Sequence, residues 1–242
     1  MKKFIELLTD ASYTIVFTGA GMSTESGLPD FRSKDRGLWE KFNPDELANV
    51  NALLYNTEEF TKFYQYRLSE VNKYKPHEGH KILADWEKRG LIKGIITQNV
   101  DAFHSDAGSE NVMELHGSFR TFHCHQCKKE YERAVYLEGK SKCDDCSGTI
   151  RPGIVLFGEN LPQDTFAKAE QEALKADLFI VFGSSLSVSP ANMFPLVAKE
   201  NGAKLIIVNR EPTQYDTFAD LVIQDKSIRE LLIEVDKSLH LH

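Results

Sequence analysis

The run Tyr13-Thr14-Ile15-Val16-Phe17-Thr18, followed at once by Gly19-Ala20-Gly21-Met22-Ser23, decides the fold. Six residues dominated by β-branched and aromatic side chains read as a strand covered on both faces. The Gly-x-Gly after them reads as a tight strand-to-helix turn, where backbone N–H groups can approach a phosphate closely. Glycine also serves such turns for steric reasons alone. The third glycine of the dinucleotide fingerprint is missing, because Thr24 stands in its place.

Outward from this run, further short apolar runs at 94–97, 154–157, 178–182 and 204–209 read as strands of the same sheet. Segments of helical periodicity at 77–88, 163–175, 191–200 and 227–237 separate them. Strands alternating with helices imply an α/β fold with a parallel, Rossmann-like sheet. Two stretches break the rhythm: 36–75 is helical and rich in Phe and Tyr, and 119–150 has little apolar periodicity. We therefore expect 1–35, 76–118 and 151–242 to form the Rossmann-like domain. A helical insertion (36–75) and a zinc-ribbon insertion (119–150) would build a smaller module, with the binding cleft between the two.

The only four cysteines form two knuckles, Cys124-His-Gln-Cys127 and Cys143-Asp-Asp-Cys146. Two CxxC turns at this separation can close on one tetrahedral Zn²⁺, and four thiolates leave it no open position for chemistry. Two disulfides of a secreted protein are the competing reading. The N-terminal stretch carries Glu6 and Asp10 inside its apolar run and does not read as an export signal. A reducing, cytoplasmic setting is expected, and it favours zinc. With 36 acidic against 29 basic residues the net charge is −7, which excludes a global electrostatic hold on nucleic acid or an anionic membrane.

Chemistry must then come from the strand ends. Ser26-Gly27-Leu28-Pro29-Asp30-Phe31-Arg32-Ser33 is denser than a mere connection needs; Phe31 suits a flat aromatic ligand and Arg32 suits phosphate or carboxamide oxygens. Thr97-Gln98-Asn99-Val100-Asp101, Gly183-Ser184-Ser185 and Asn209-Arg210-Glu211 each follow a strand, the position at which α/β sheets bind ligands. His116, in Glu114-Leu115-His116-Gly117-Ser118, is the candidate general base, since imidazole titrates near neutrality and Gly117 leaves its face open. His104 is expected to pack beneath the Gln98–Asp101 segment. No GxSxG hydrolase elbow occurs.

These stretches together resemble the sirtuins, the NAD-dependent protein lysine deacylases. The carriers are GAGMSTESGLPDFRS (19–33), TQNVDAFH (97–104), ELHGS (114–118), the four cysteines, RPGIVLFGENLP (151–162), GSSLSVSP (183–190) and VNRE (208–211). The resemblance implies NAD as co-substrate, one structural zinc, and acyl-lysine peptides entering opposite the dinucleotide. It implies attack of the acyl oxygen on C1′ of the nicotinamide ribose, departure of nicotinamide, and a histidine-assisted attack of a ribose hydroxyl on the alkylimidate. Products are free lysine, nicotinamide and O-acyl-ADP-ribose.

By position, His116 and Asn99 match the catalytic residues, and Asp101 matches a contact to the nicotinamide carboxamide. Ala20, Thr24, Phe31, Arg32, Gln98 and Val100 match other NAD contacts, and Ser184, Ser185, Asn209 and Asp225 match the adenosine side. Val155, Phe157 and Gly158 match the stretch where peptide adds as a β-strand. Tyr64 and Arg67, three apart on one helix face, resemble with Ala48 the signature of sirtuins that remove succinyl and malonyl groups. Two alternatives remain open at this point: a zinc-ribbon binding module, and a protein mono-ADP-ribosyltransferase.

Overall fold

The computed structural model describes residues 1–30 and 43–240; Phe31 and Arg32 lie outside the described residues. Six parallel strands form the main sheet in the order β3-β2-β1-β7-β8-β9. They are β1 (Thr14–Thr18), β2 (Gly94–Thr97), β3 (Val112–Glu114), β7 (Leu178–Phe182), β8 (Lys204–Val208) and β9 (Leu221–Ile223). All five residues of β1 are buried, because β2 and β7 flank it and helices cover both faces.

Alternate residues of one strand feed opposite cores. Val16, Ile95, Ile180 and Ile206 pack with Phe4 and Leu8 of α1 (Lys2–Asp10), Leu83 and Trp86 of α5 (Glu78–Lys88), and Leu231 and Leu232 of α10 (Ile228–Leu239). Ile15, Phe17, Phe179, Val181 and Ile207 face the other way, onto Ala169 and Ala173 of α8 (Gln163–Lys175) and Phe194 and Ala198 of α9 (Phe194–Glu200). The side chains of His77 and Ser227 cap α5 and α10 by accepting hydrogen bonds from Gly79 N and Glu230 N.

A third core lies outside this sheet. Three helices, α2 (Pro44–Leu47), α3 (Val50–Tyr55) and α4 (Thr57–Val71), follow β1 in the chain, and α3 and α4 contribute to it. Phe60, Tyr64 and Leu68 of α4 pack against Phe119 and Phe122 of β4 (Gly117–Cys124), Tyr136 of α7 (Arg133–Leu137) and Ile150 of β6 (Ile150–Ile154). β4 is the middle strand of a three-stranded antiparallel sheet, between β6 and β5 (Glu130–Tyr131).

Two expectations need correction. The run 154–157 is not a strand of the parallel sheet: the strand is Ile150–Ile154, antiparallel to β4, and the chain leaves it after Ile154. Beyond that point backbone bonds go elsewhere, Val155 N to His116 O and Phe157 N to Ala48 O. The strand-to-helix turn after β1 is two 3₁₀ turns, Ala20–Met22 and Thr24–Ser26. The Gly19, Gly21, Met22 and Ser23 amides bond to Phe182, Gly183, Gly19 and Ala20 carbonyls, so these four are spent within the protein. Gly21 instead lets two loops touch: a Cβ there would lie 2.7 Å from Gly183 Cα. Gly183 itself has φ +63°.

Candidate active site

The C-terminal ends of β1, β2, β7 and β8 and the loop after β6 enclose a cavity of about 1310 Å³. Its size and its position at the strand ends suit an elongated ligand. Ala20 and Thr24 line it from the loop after β1, and Gln98, Asn99 and Val100 from the loop after β2. Ser184, Ser185 and Asn209 line the far end, while Val155, Phe157 and Gly158 form the opposite wall with Ala48, Tyr64, Arg67 and His116. Two residues expected here stand back from it: Asp101 and Asp225 are not among the lining residues.

Asp101 is buried, and both its oxygens are engaged, Oδ1 by Phe103 N at 2.9 Å and Oδ2 by Ser23 Oγ at 2.7 Å. Burial pushes its carboxyl pKa up, against the pull of those two bonds. Asn99 Nδ2 donates to Gly19 O at 2.9 Å and reaches Ser23 Oγ at 3.3 Å. Ser23 is thus a hub that sequence reasoning missed; its one signal was a hydroxyl just past Gly-x-Gly. At the far end, Ser184 Oγ donates to Gln98 Oε1 at 2.9 Å, and Asn209 Nδ2 donates to Glu211 O at 2.7 Å.

His116 sits between β3 and β4, with Nδ1 3.0 Å from Gln98 O. A carbonyl can only accept, so this bond selects the Nδ1–H tautomer and makes Nε2 the basic atom. Gly117 is required for a reason other than an open face. Its φ is +71°, and a Cβ would fall 2.1 Å from Gly153 O, where β6 crosses.

On the opposite wall Tyr64 is fully buried, and burial pushes its hydroxyl up to about 12. The Arg67 guanidinium carbon lies 5.7 Å from the Tyr64 ring centre and 5.3 Å from that of Phe119. Burial lowers the Arg67 pKa, and Tyr64 and Asp101 oppose that effect.

Beneath the nucleotide-side loops, His77, His80 and His104 form a buried row, with ring centres 4.3 Å and 4.9 Å apart. His104 Nε2 lies 2.9 Å from Thr18 Oγ1, which donates to Thr97 Oγ1 at 2.8 Å. Burial holds all three imidazoles below their ordinary value, His104 at about 3. Unfolded histidine takes up its proton below about pH 6.5, whereas folded His104 resists until about 3. Across that window the unfolded chain binds more protons, so acid destabilises the fold. Urea denaturation at pH 7 and pH 5 should show lower stability at pH 5, with His104 alone contributing a fall of about 1.4 kcal/mol per pH unit below about pH 6.5. Equal stability at the two pH values would contradict this.

The four cysteine sulfurs converge within 4.8 Å of one another. Cys124 and Cys146 Sγ lie 3.5 Å apart, as do Cys127 and Cys143 Sγ, and all four thiols are free. Tetrahedral Zn–S bonds of about 2.3 Å require sulfur separations of about 3.8 Å, so this donor set fits one zinc ion. Among the described residues no helix is long and apolar enough to cross a membrane.

The family model described as "Sir2 family" matches residues 19–190. The chain is 56% identical over 225 residues to an "NAD-dependent protein deacetylase" of Oceanobacillus iheyensis, covering 93% of this chain and 95% of that one. It is 55% identical over 232 residues to "NAD-dependent protein deacetylase 1" of Geobacillus kaustophilus, covering 96% of each. A Sir2 solved with a p53 peptide and NAD+ superposes with a TM-score of 0.90 at 38% identity, over 100% of this chain and 99% of that one. A Sir2 bound to an acetylated peptide gives the same score and identity over the same shares. With sheet, cavity, cysteine cluster and sequence in agreement, the chain belongs to the Sir2 family.

Proposed function

We propose that the protein is an NAD-dependent protein lysine deacylase. It breaks the nicotinamide–ribose bond and passes the acyl group to ADP-ribose, giving free lysine, nicotinamide and O-acyl-ADP-ribose. The observation that carries this reading is the placement of His116, with Nδ1 3.0 Å from Gln98 O, in the wall of the cavity that the β1, β2, β7 and β8 ends share with the 155–158 loop. Relatives over half identical are named for this activity.

Bound NAD supplies an electrophilic C1′ and a stable leaving group, so no metal is needed at the reacting centre. The protein supplies placement. Ala20, Thr24, Gln98 and Val100 contact NAD, with Phe31 and Arg32 as expected partners. Ser184, Ser185 and Asn209 hold the adenosine half. Asn99 is fixed through Gly19 O and Ser23 Oγ, and Asp101 acts behind the wall by holding Ser23. His116 Nε2 accepts a ribose hydroxyl proton. The peptide backbone meets the loop edge, where the Val155 carbonyl and the Gly158 amide make no hydrogen bond among the described residues.

Incubation with NAD and a panel of acylated peptides, following nicotinamide release, tests the reading. Acyl-ADP-ribose in solution supports it. ADP-ribose fixed to protein would instead support mono-ADP-ribosyl transfer, and turnover of no peptide would leave a zinc-ribbon binding module. The cytoplasm suits four reduced thiols.

A finer reading concerns the acyl group. Tyr64 and Arg67 line the cavity beside Ala48 and suit a distal carboxylate, as succinyl and malonyl groups carry. Arg67→Met should reduce kcat/KM for succinyl-lysine peptide by about 10-fold or more relative to acetyl-lysine peptide, the loss of one charge-assisted bond. Equal losses on the two peptides would remove the idea.

A further inference from the structure

An ion pair lies beside the 155–158 loop, its arginine buried and its glutamate half-buried at the cavity wall. Arg151 is 3% exposed, and its guanidinium meets Glu159 by two bonds, Nη1 to Oε1 at 2.5 Å and Nη2 to Oε2 at 2.9 Å. The same guanidinium donates to the backbone carbonyls of Ile154 at 2.5 Å and Pro152 at 3.3 Å. Glu159 Oε2 also accepts from Leu156 N at 2.8 Å. Burial pushes the Glu159 carboxyl up, but the Arg151 bond and the Leu156 amide outweigh it and hold the acid below its ordinary range.

We propose that Arg151 and Glu159 are positioning residues for the acyl-lysine peptide: together they clamp the backbone of 152–156 so that its free edge faces the incoming chain. The inference rests on the reading of 155–158 as the edge that takes the peptide.

The physical case is one of alternatives removed. After Ile154 the chain has left its sheet, and three backbone bonds anchor it, from Val155 N to His116 O, from Phe157 N to Ala48 O and from Val50 N to Phe157 O. Between them the Leu156 amide is directed to Glu159, and the Leu156 side chain is 1% exposed. Without the carboxylate that buried amide loses its acceptor, and the peptide plane can reorient through its flanking φ and ψ angles. A β-strand can add only to an edge whose carbonyls and amides already lie in register. Neither Arg151 nor Glu159 need touch the reacting atoms for this. A fixed edge spares the peptide the cost of ordering the loop on binding.

Three variants test the pair. Glu159→Asp keeps the charge but draws the carboxylate back from Leu156. Arg151→Met alone strands a carboxylate, so the double variant Arg151→Met/Glu159→Met is the informative partner, since it leaves no unpaired charge and no acceptor for the Leu156 amide. The readouts are KM for acetyl-lysine peptide and KM for NAD, each at saturating co-substrate, together with the melting temperature. We expect the double variant to melt near wild type and to show a peptide KM raised about 10-fold or more. Its NAD KM should stay within about twofold, and Glu159→Asp should shift in the same direction. Unchanged peptide KM in the folded variants, or peptide and NAD KM rising in parallel, would overturn the proposal while the deacylase reading stands. Wild-type protein that takes no acyl-lysine peptide would overturn both.

Discussion

His116→Ala is expected to lower the rate of peptide deacylation by about 10²–10⁴-fold, the usual contribution of a positioned general base. That range corresponds to about 3–5 kcal/mol of transition-state free energy. The argument is one of geometry. Gln98 O orients the ring through Nδ1, leaving Nε2 as the atom that takes the ribose proton. Alanine removes that atom and leaves a half-buried space at the cavity wall, so the fold should survive. Circular dichroism and bound zinc should therefore match wild type. Substantial turnover by the folded variant would refute the assignment of the base.

Removing the zinc is expected to abolish peptide turnover while the parallel sheet persists. The sulfurs are held by two short knuckles that converge within 4.8 Å, and metal binding and local folding are coupled in such sites. Cys124 stands opposite Ile150 in the β4–β6 ladder, and His123 opposite Arg151. Loss of the ion therefore loosens the strand on which Arg151 stands, and with it the third core around Phe122 and Tyr136. The two cores of the parallel sheet include no residue of the ribbon. A chelated sample should lose activity by about 100-fold or more, retain most of its helical signal, and recover when Zn²⁺, but not Mg²⁺, is returned. Elemental analysis should find one zinc per chain before chelation. Full activity in metal-free protein would contradict this.

What could be read from the sequence was what depends on neighbours along the chain. The strands of β1, β7 and β8 were legible because burial on both faces produces an unbroken apolar run. The cysteine cluster was legible because CxxC spacing is itself ligand geometry. β3 and β9, with three residues each, are too short to show a period. The run 154–157 was misassigned because its composition is that of a strand, while its bonding partners, His116 and Ala48, are far away in sequence. Gly21 and Gly117 were rightly marked as special positions, but the close approach of Gly183 and Gly153 that explains them is tertiary. Ser23 escaped notice for the same reason, because Asp101 and Asn99 reach it from another strand end.

The bond from Val155 N to His116 O, 2.8 Å long, has an engineering consequence. On the proposed reading, the proton acceptor and one bank of the substrate channel are riveted together, and any drift of that bank carries the imidazole with it. Alignment errors on this side are common-mode and cancel. Retuning which acylated proteins are accepted by editing Val155 therefore moves the base as well, so specificity and rate on this side change together.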